Sequence, residues 1–396
     1  MLAESPGYLS DVRLSPKGDR IAYFVHPYKY DDRGGVAVVD LKGNAKLLSD
    51  GYWGLEGIAW SPTGDEVLFS GGSSYSSFVV RGVTLDGKMR VVRDSAGGLT
   101  IHDIAADGRW LVTRDDIHRD AFAKGPYSPA EVSVSFLDYT QTIDLTPDGR
   151  TLLLTEENGI FGNFYTTCIR KTDGSPVVRL GPGFAAEFSP DGRWALAGIA
   201  RSPDELVLYP TGAGQPRNLP VGKAGGISSA RWFADGRRVL FCGAEPGHAG
   251  RCYVDDVSGG EPRAVTPEGT ISGIPSKDGK FILAQDTDQR WLRYPIDGGQ
   301  PSVVTALKTS DNVLRWPQEN TLLVRGPNSD LPVRVERLDL ATGKRMLVQE
   351  LATSDLAGAM EVTNMAITDD GKWYAYGVEK QSSTLFLIEP NQAPKL

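Results

Sequence analysis

FAAEFSPDGRWALA, residues 184–197, is the stretch that decides the fold of this 396-residue chain. Two apolar strand patterns flank a turn at Ser189-Pro190-Asp191-Gly192. Proline presets φ for the second position of a type I turn, aspartate suits the third position, and glycine takes the positive φ that follows. The stretch therefore predicts a β-hairpin.

The same turn recurs along the whole chain. Its glycine slot is occupied by Gly18, Gly64, Gly108, Gly149, Gly192, Gly236, Gly279, Asn320 and Gly371. From Gly18 to Gly279 the successive spacings are 46, 44, 41, 43, 44 and 43 residues. We expect Asn320 to adopt positive φ, since asparagine tolerates it best after glycine. A second glycine turn, such as Lys42-Gly43, lies between strand patterns in most units, so each unit is predicted to hold four short antiparallel strands.

A repeat of this length and content predicts an all-β protein, a β-propeller of four-stranded antiparallel blades. Nine blades are expected, with eight blades and one distorted unit as the alternative. We expect a single domain over residues 1–396, with units that start near residues 9, 55, 99, 140, 184, 227, 270, 311 and 362. The last unit lacks an outer strand, so residues 1–5 are expected to pair with residues 384–388 and close the ring.

Composition excludes several classes of function. The net charge of −8 argues against nucleic acid as a partner. No apolar run is long enough for a membrane helix, and the four histidines have no metal-ligand spacing, so we expect no membrane contact by this segment, no metal and no cofactor. Cys242 and Cys252 could form a disulfide across a hairpin or remain two buried thiols beside Cys168, and the second interpretation is favoured.

One position of the inner strand, the first strand of a unit, carries charge in six units. The residues are Arg13, Asp103, Asp144, Glu187, Arg231 and Arg315. The favoured interpretation is a ring of paired charges lining a wet central channel. The alternative is a ligand site in that channel.

Aromatic residues and one histidine mark a second candidate surface, on the loops opposite the glycine turns. They are His26, Tyr28, Tyr30, Tyr52, Trp53, Tyr75, Tyr139 and Phe161. Exposed aromatic side chains of this kind suit recognition of a partner. The alternative is that they cover the ends of the blades and bind nothing.

Three stretches resemble a known family. Residues 2–24 (LAESPGYLSDVRLSPKGDRIAYF), residues 170–197 and residues 338–345 (LDLATGKR) are similar to the C-terminal propeller region of bacterial serine/threonine protein kinases, within the wider TolB-like, WD-repeat-like group. The resemblance implies a parent with an N-terminal kinase domain and a membrane helix, and this propeller as its sensor or scaffold. It implies an extracytoplasmic location, with a cytoplasmic one as the alternative. It transfers no catalytic residue.

These observations predict a non-enzymatic, monomeric propeller that binds a protein, a peptide or a small ligand. His118-Arg119-Asp120 has the letters of a kinase catalytic loop, but the asparagine that a kinase needs is replaced by Gly125. The first alternative is a propeller lyase or hydrolase with its site at the channel mouth. The second is a purely structural or oligomerisation domain.

Overall fold

The computed structural model describes residues 1–28, 32–72, 78–95, 97–137, 139–157, 165–200, 204–327, 332–351 and 358–389. In these residues the secondary structure consists of 33 β-strands, and none of it is helical. No membrane-spanning helix is therefore found in the described part of the chain. The predicted all-β class is confirmed.

The chain forms two compact units rather than the single domain that we expected. Unit 1 comprises Met1–His118, Glu157–Asn163 and Lys380–Leu396, and unit 2 comprises Arg119–Glu156 and Phe164–Glu379. Two strands of 15 residues, β10 (Trp110–Lys124) and β33 (Tyr374–Ile388), contribute residues to both units.

Unit 1 contains the first nine strands. They are β1 (Tyr8–Leu14), β2 (Arg20–His26), β3 (Gly34–Asp40), β4 (Ala45–Tyr52), β5 (Gly54–Trp60), β6 (Glu66–Gly72), β7 (Phe78–Thr84), β8 (Met89–Arg93) and β9 (Gly98–Ile104). Strands β1 to β4 and β5 to β8 form two antiparallel sheets, and β9 pairs with the first part of β10.

Unit 2 contains the remaining strands. They are β11 (Val132–Ser133), β12 (Thr140–Leu145), β13 (Thr151–Glu156), β14 (Thr166–Lys171), β15 (Val178–Pro182), β16 (Phe184–Phe188), β17 (Trp194–Ile199), β18 (Glu205–Pro210), β19 (Arg217–Leu219), β20 (Gly225–Trp232), β21 (Arg238–Ala244), β22 (Arg251–Asp256), β23 (Arg263–Ala264), β24 (Ile274–Pro275), β25 (Phe281–Gln285), β26 (Trp291–Pro295), β27 (Ser302–Val303), β28 (Asn312–Gln318), β29 (Thr321–Arg325), β30 (Val333–Asp339), β31 (Arg345–Leu351) and β32 (Ala359–Ile367). Five four-stranded sheets follow in chain order from β12 to β31. A further sheet has the order β11-β10-β33-β32.

The six sheets of unit 2 form a closed ring. Their inner strands β12, β16, β20, β24, β28 and β32 are neighbours in that order, and β32 is again a neighbour of β12. The predicted propeller of four-stranded antiparallel blades is therefore confirmed. The nine sequence units correspond to eight sheets in the described chain, because the third and ninth units share one sheet, so the count of nine blades is not confirmed.

The predicted closure by the N-terminal residues is wrong. Strand β33 pairs with β10 and β32, whereas the Ser5 hydroxyl donates to the carbonyl oxygen of His26 at 2.7 Å. The physical reason is that β10 and β11 already supply the strands that complete the blade of β32 and β33. The ring of unit 2 thus closes with segments from its own two ends.

The repeated turn explains why each unit begins with a hairpin. Gly192 N donates to Ser189 O, and the Ser189 hydroxyl donates to Asp191 and accepts from Trp194 N. All eight turn glycines have the expected positive φ, between 65° and 85°. The first strands of the nine units begin at residues 8, 54, 98, 140, 184, 225, 274, 312 and 359, within four residues of the predicted starts.

Asn320 departs from the expected turn. It is not among the residues with positive φ, and Gln318 pairs with Thr321 across the hairpin. Only two residues therefore connect β28 and β29, and the Trp316 indole donates to Glu319 O at 3.1 Å. Neither of these two connecting residues has positive φ, so that prediction is wrong.

A strand in the middle of a blade is buried on both faces, because a neighbouring blade packs on each side. Leu152 and Leu154 of β13 pack in one apolar cluster, while Leu153 packs with Phe188 and Ala195 in the next. Alternate side chains of a strand point to opposite faces of its sheet, so one run of leucines serves two blade interfaces. Blade-on-blade packing of this kind forms the core of unit 2.

The repeated turn also makes stability depend on pH. The serine at the first position of three turns donates a hydrogen bond from its hydroxyl to an aspartate and lowers the pKa of that carboxyl. The pairs are Ser15 with Asp19, Ser189 with Asp191 and Ser276 with Asp278. A carboxyl whose pKa is lowered by folding stabilises the protein above its unfolded pKa and loses that contribution as pH falls. We expect the free energy of unfolding to fall from about pH 5 toward pH 2. Urea denaturation of an Asp191→Asn, Asp278→Asn variant should show a smaller loss between these pH values, and an unchanged loss would contradict the prediction.

The cysteines differ from the favoured expectation. Cys242 and Cys252 lie opposite each other on β21 and β22 and form a disulfide. The direct cross-strand register brings the two side chains together, which the sequence spacing alone left open. Cys168 is a buried free thiol, and burial raises its pKa to about 12.

Thiol labelling checks this assignment. Iodoacetamide should label no cysteine in the folded protein, since Cys168 is buried and the other two are paired. In urea without reductant it should label Cys168 alone, and after reduction all three. Mass spectrometry of the peptides counts the labels, and three labels in urea without reductant would show that the disulfide is absent.

Candidate functional site

Charged side chains of unit 2 converge at the inner strands. In β12, β16 and β28 a register shift directly precedes Asp144, Glu187 and Arg315. A β-bulge of this kind bends the strand and changes the direction of the side chain that follows. The bulges therefore bring these three residues together, with Arg231 of β20 beside them.

Arg315 is the centre of the resulting ion network. Its guanidinium donates to Asp144, to Glu187 at 3.2 Å and to the carbonyl oxygen of Ile367 at 2.8 Å. Arg231 contacts the same Glu187 oxygen at 3.4 Å. Two guanidinium groups thus face two carboxylates, and the network is electrically balanced.

The carboxylates also join neighbouring blades. Asp144 accepts from Phe188 N at 2.8 Å, and Glu187 accepts from Trp232 N at 2.6 Å. Each acid therefore fixes the inner strand of the following blade. The two contacts are alike because the two acids hold the same position in their strands, directly before Leu145 and Phe188 respectively.

Burial and charge act in opposite directions on this network. Burial opposes the charge on Arg315, but Asp144 and Glu187 outweigh it, so the pKa of the guanidinium is raised. Burial raises the pKa of the Glu187 carboxyl, and Arg231 opposes that rise. Arg315 is therefore a fixed positive charge that holds two carboxylates in a site with little water.

A cavity of about 380 Å³ opens above the network. Residues from all six blades of unit 2 line it, because the turns after the inner strands meet there. Beyond the network, the lining includes Pro147, Pro190, Pro275, Phe188, Trp232, Trp316, Lys277, Asp369 and Asp370. Lys277 and Asp369 form an exposed ion pair of 2.9 Å. We call this cavity the channel mouth.

The structure brings together four of the six predicted channel charges. Arg13 and Asp103 lie in unit 1, where Arg13 donates to Val12 O and Asp103 accepts from Ile104 N. Their place on the inner strand is as predicted, but the division of the chain separates them from the four residues of unit 2. The lining prolines and the Lys277–Asp369 pair were not predicted as site residues, although Pro147 and Pro190 belong to the repeated turn.

The predicted aromatic surface is only partly exposed. His26, Trp53 and Tyr139 are buried, so the exposure expected of them is wrong. His26 stacks on Tyr8 with a ring distance of 4.1 Å, which explains its burial. Tyr28 and Tyr52 are half-buried, whereas Tyr30, Tyr75 and Phe161 lie outside the described residues. The recognition surface remains a prediction for the residues that are not buried.

No cluster of metal-ligating side chains occurs among the residues that the structure describes. The carboxylates of the network instead accept hydrogen bonds from guanidinium and backbone N–H groups. The channel mouth therefore offers a pocket whose walls combine proline and aromatic side chains with hydroxyl and charged ones, above the balanced ion network.

Comparisons with known proteins find solved structures that resemble this chain at low sequence identity. No family model matches the chain, and no curated protein matches it. A solved structure titled as a putative TolB from Agrobacterium tumefaciens is 18% identical, and the alignment covers 67% of this chain and 99% of that one with a TM-score of 0.49. TolB from Acinetobacter baumannii is 13% identical over 93% of this chain and 66% of its own, with a TM-score of 0.33.

A third solved structure comes from a study of two prolyl endopeptidases. It is 15% identical, and the alignment covers 86% of this chain and 49% of that one with a TM-score of 0.34. Because these values are low, the propeller assignment rests on the strand topology and the ring of inner strands.

Proposed function

We propose that the chain is a non-catalytic binding propeller and that the channel mouth of unit 2 holds a segment of a partner protein. The observation that carries the proposal is the convergence of all six blades on one preformed pocket with proline and aromatic walls. Pockets of this size suit ligand binding, and the charged and hydroxyl side chains among the walls of this one would orient a bound segment. Tight turns fix the walls, so little ordering is needed when a ligand enters.

A binding role is better supported than catalysis at the same place. A carboxylate that acts as a general base must be able to take a proton from the substrate. Asp144 and Glu187 already accept hydrogen bonds from Arg315 and from backbone N–H groups. They therefore support the blades and balance the arginines.

We further propose that this propeller is the sensor part of a membrane-anchored serine/threonine kinase, outside the cytoplasm. The kinase assignment is supported by the resemblance of residues 2–24, 170–197 and 338–345 to that family. The location is supported by the disulfide between Cys242 and Cys252, since disulfides persist in oxidising compartments.

Photo-crosslinking tests the binding site. A benzoylphenylalanine at Lys277, on the rim of the channel mouth, should crosslink a discrete partner in extracts of the source cells. The same group at Lys344, an exposed residue on the turn before β31, is the control and should not. Equal capture at both positions, or capture at neither, would contradict a partner site at the channel mouth.

A further inference from the structure

A second groove of unit 2 has a different chemical character. It has a volume of about 510 Å³ and lies among the loop after β10, the strand β31 and the turn before β33. Its walls are Pro126, Tyr127, Pro129 and Trp373, and its charged residues are Lys124 and Lys372. We call it the basic groove, because no acidic residue occurs among the described residues that line it.

Packing fixes the floor of the basic groove. The Trp373 indole lies against Gly149, where an added Cβ would meet it at 2.3 Å. The Lys372 ammonium lies 4.5 Å from the centre of the indole ring. Gln349 donates to the carbonyl oxygen of Gly371 at 3.1 Å, which joins β31 to the same turn. The tryptophan is therefore held in place before any ligand arrives.

The opposite wall is also preformed. Gly125 packs so closely on Thr172 that an added Cβ would lie 2.0 Å from the threonine hydroxyl oxygen. The Ser128 hydroxyl accepts from Ala130 N at 3.1 Å, which shapes the loop that presents Tyr127. Tyr127 itself is 46% exposed. An aromatic ring on a fixed loop thus stands at the edge of the groove, open to a ligand.

We propose that the basic groove binds an extended, acidic, proline-containing peptide segment of a partner protein. Aromatic-lined grooves recognise polyproline II segments, because proline rings stack on aromatic side chains and the segment is already extended. Lys124 and Lys372 provide charge complementarity for glutamate or aspartate in the same segment. This groove is separate from the channel mouth, and the proposal does not depend on the function proposed for that site.

Fluorescence anisotropy with short labelled peptides tests the proposal on the full chain. The probe is Glu-Pro-Pro-Glu-Pro-Pro-Glu, compared with one peptide in which lysine replaces glutamate and one in which alanine replaces proline. The glutamate-proline peptide should bind at least about tenfold more tightly than either, and its affinity should fall as NaCl rises from about 50 to 500 mM.

Two variants locate the binding. Tyr127→Ala and the double variant Lys124→Glu, Lys372→Glu should each weaken binding about tenfold or more. The matched control is Lys223→Glu, Lys344→Glu, which changes the net charge equally at two exposed lysines outside the groove and should leave affinity within about twofold. Thermal denaturation verifies that each variant is folded.

Several results would overturn the proposal. They are no binding of the glutamate-proline probe at millimolar concentration, equal binding of the three peptides, or equal weakening by the control variant. A probe that binds wild type and both groove variants equally would likewise place the site elsewhere.

Discussion

Replacing Arg315 with methionine should lower the free energy of unfolding of unit 2 by about 3–5 kcal/mol. The substitution keeps most of the side-chain volume but leaves Asp144 and Glu187 facing each other without their shared cation. Both carboxylates are almost fully buried, with 5% and 12% of their side-chain surface exposed. Uncompensated buried charge is among the most destabilising changes that a single substitution can cause.

Urea denaturation of Arg315→Met and Arg231→Met measures this effect. Arg231 is more exposed, at 30%, and contacts Glu187 at the longer distance of 3.4 Å, so its loss should cost about 1 kcal/mol. Adding Asp144→Asn and Glu187→Gln to Arg315→Met should recover part of the loss, because the unpaired charges are then removed. Equal effects of the two arginine variants would show that Arg315 is not the centre of the network.

Gly57→Ala should destabilise unit 1 by about 2–5 kcal/mol, from left-handed backbone strain together with overpacking. Gly57 is the bulge residue of β5 and has a φ of 59°. An added Cβ would lie 1.9 Å from the carbonyl oxygen of Ile101 on β9, and a backbone atom cannot move away as a flexible side chain can. The sheet of β5 to β8 and the strand β9 would therefore have to move apart.

Gly18→Ala is the matched control for this prediction. Gly18 has a φ of 69°, but an added Cβ there meets nothing within 4 Å. Only the backbone strain remains, so the cost should be about 1–2 kcal/mol. Thermal or urea denaturation of the two variants compares them directly, and a cost for Gly57→Ala no larger than for Gly18→Ala would contradict the close approach of β5 and β9.

Local features of the fold were predictable from the sequence, and the closure of the ring was not. The turn at Ser189 to Gly192 contains its own hydrogen bonds, so its residues specify it wherever it occurs. Strands β10 and β33 pair although their residues are far apart in the chain. No local sequence pattern in either strand indicates which strand it will pair with. The ninth unit therefore appeared to need residues 1–5 for its completion.

The candidate site shows the same limit. Asp144 and Arg315 were predicted to line a channel because their position in the repeat is local information. Arg13 occupies the same position in its repeat, yet it belongs to the other unit, which only the tertiary fold decides. His26 is buried because it stacks on Tyr8 of the neighbouring strand. The sequence of its own loop does not show that contact, so exposure was predicted instead.

The central claim is that the channel mouth of unit 2 is a protein-binding site. Hydrogen–deuterium exchange of the unmodified chain tests it, with and without the purified partner that crosslinking at Lys277 identifies. The partner should slow exchange in the turns that line the mouth, at residues 146–149, 189–192, 276–279 and 368–371. Residues 245–250, between β21 and β22, and residues 286–290, between β25 and β26, lie at the other ends of these strands and should be unchanged. Slower exchange confined to residues 245–250 and 286–290, with no change in the four turns, would contradict the account.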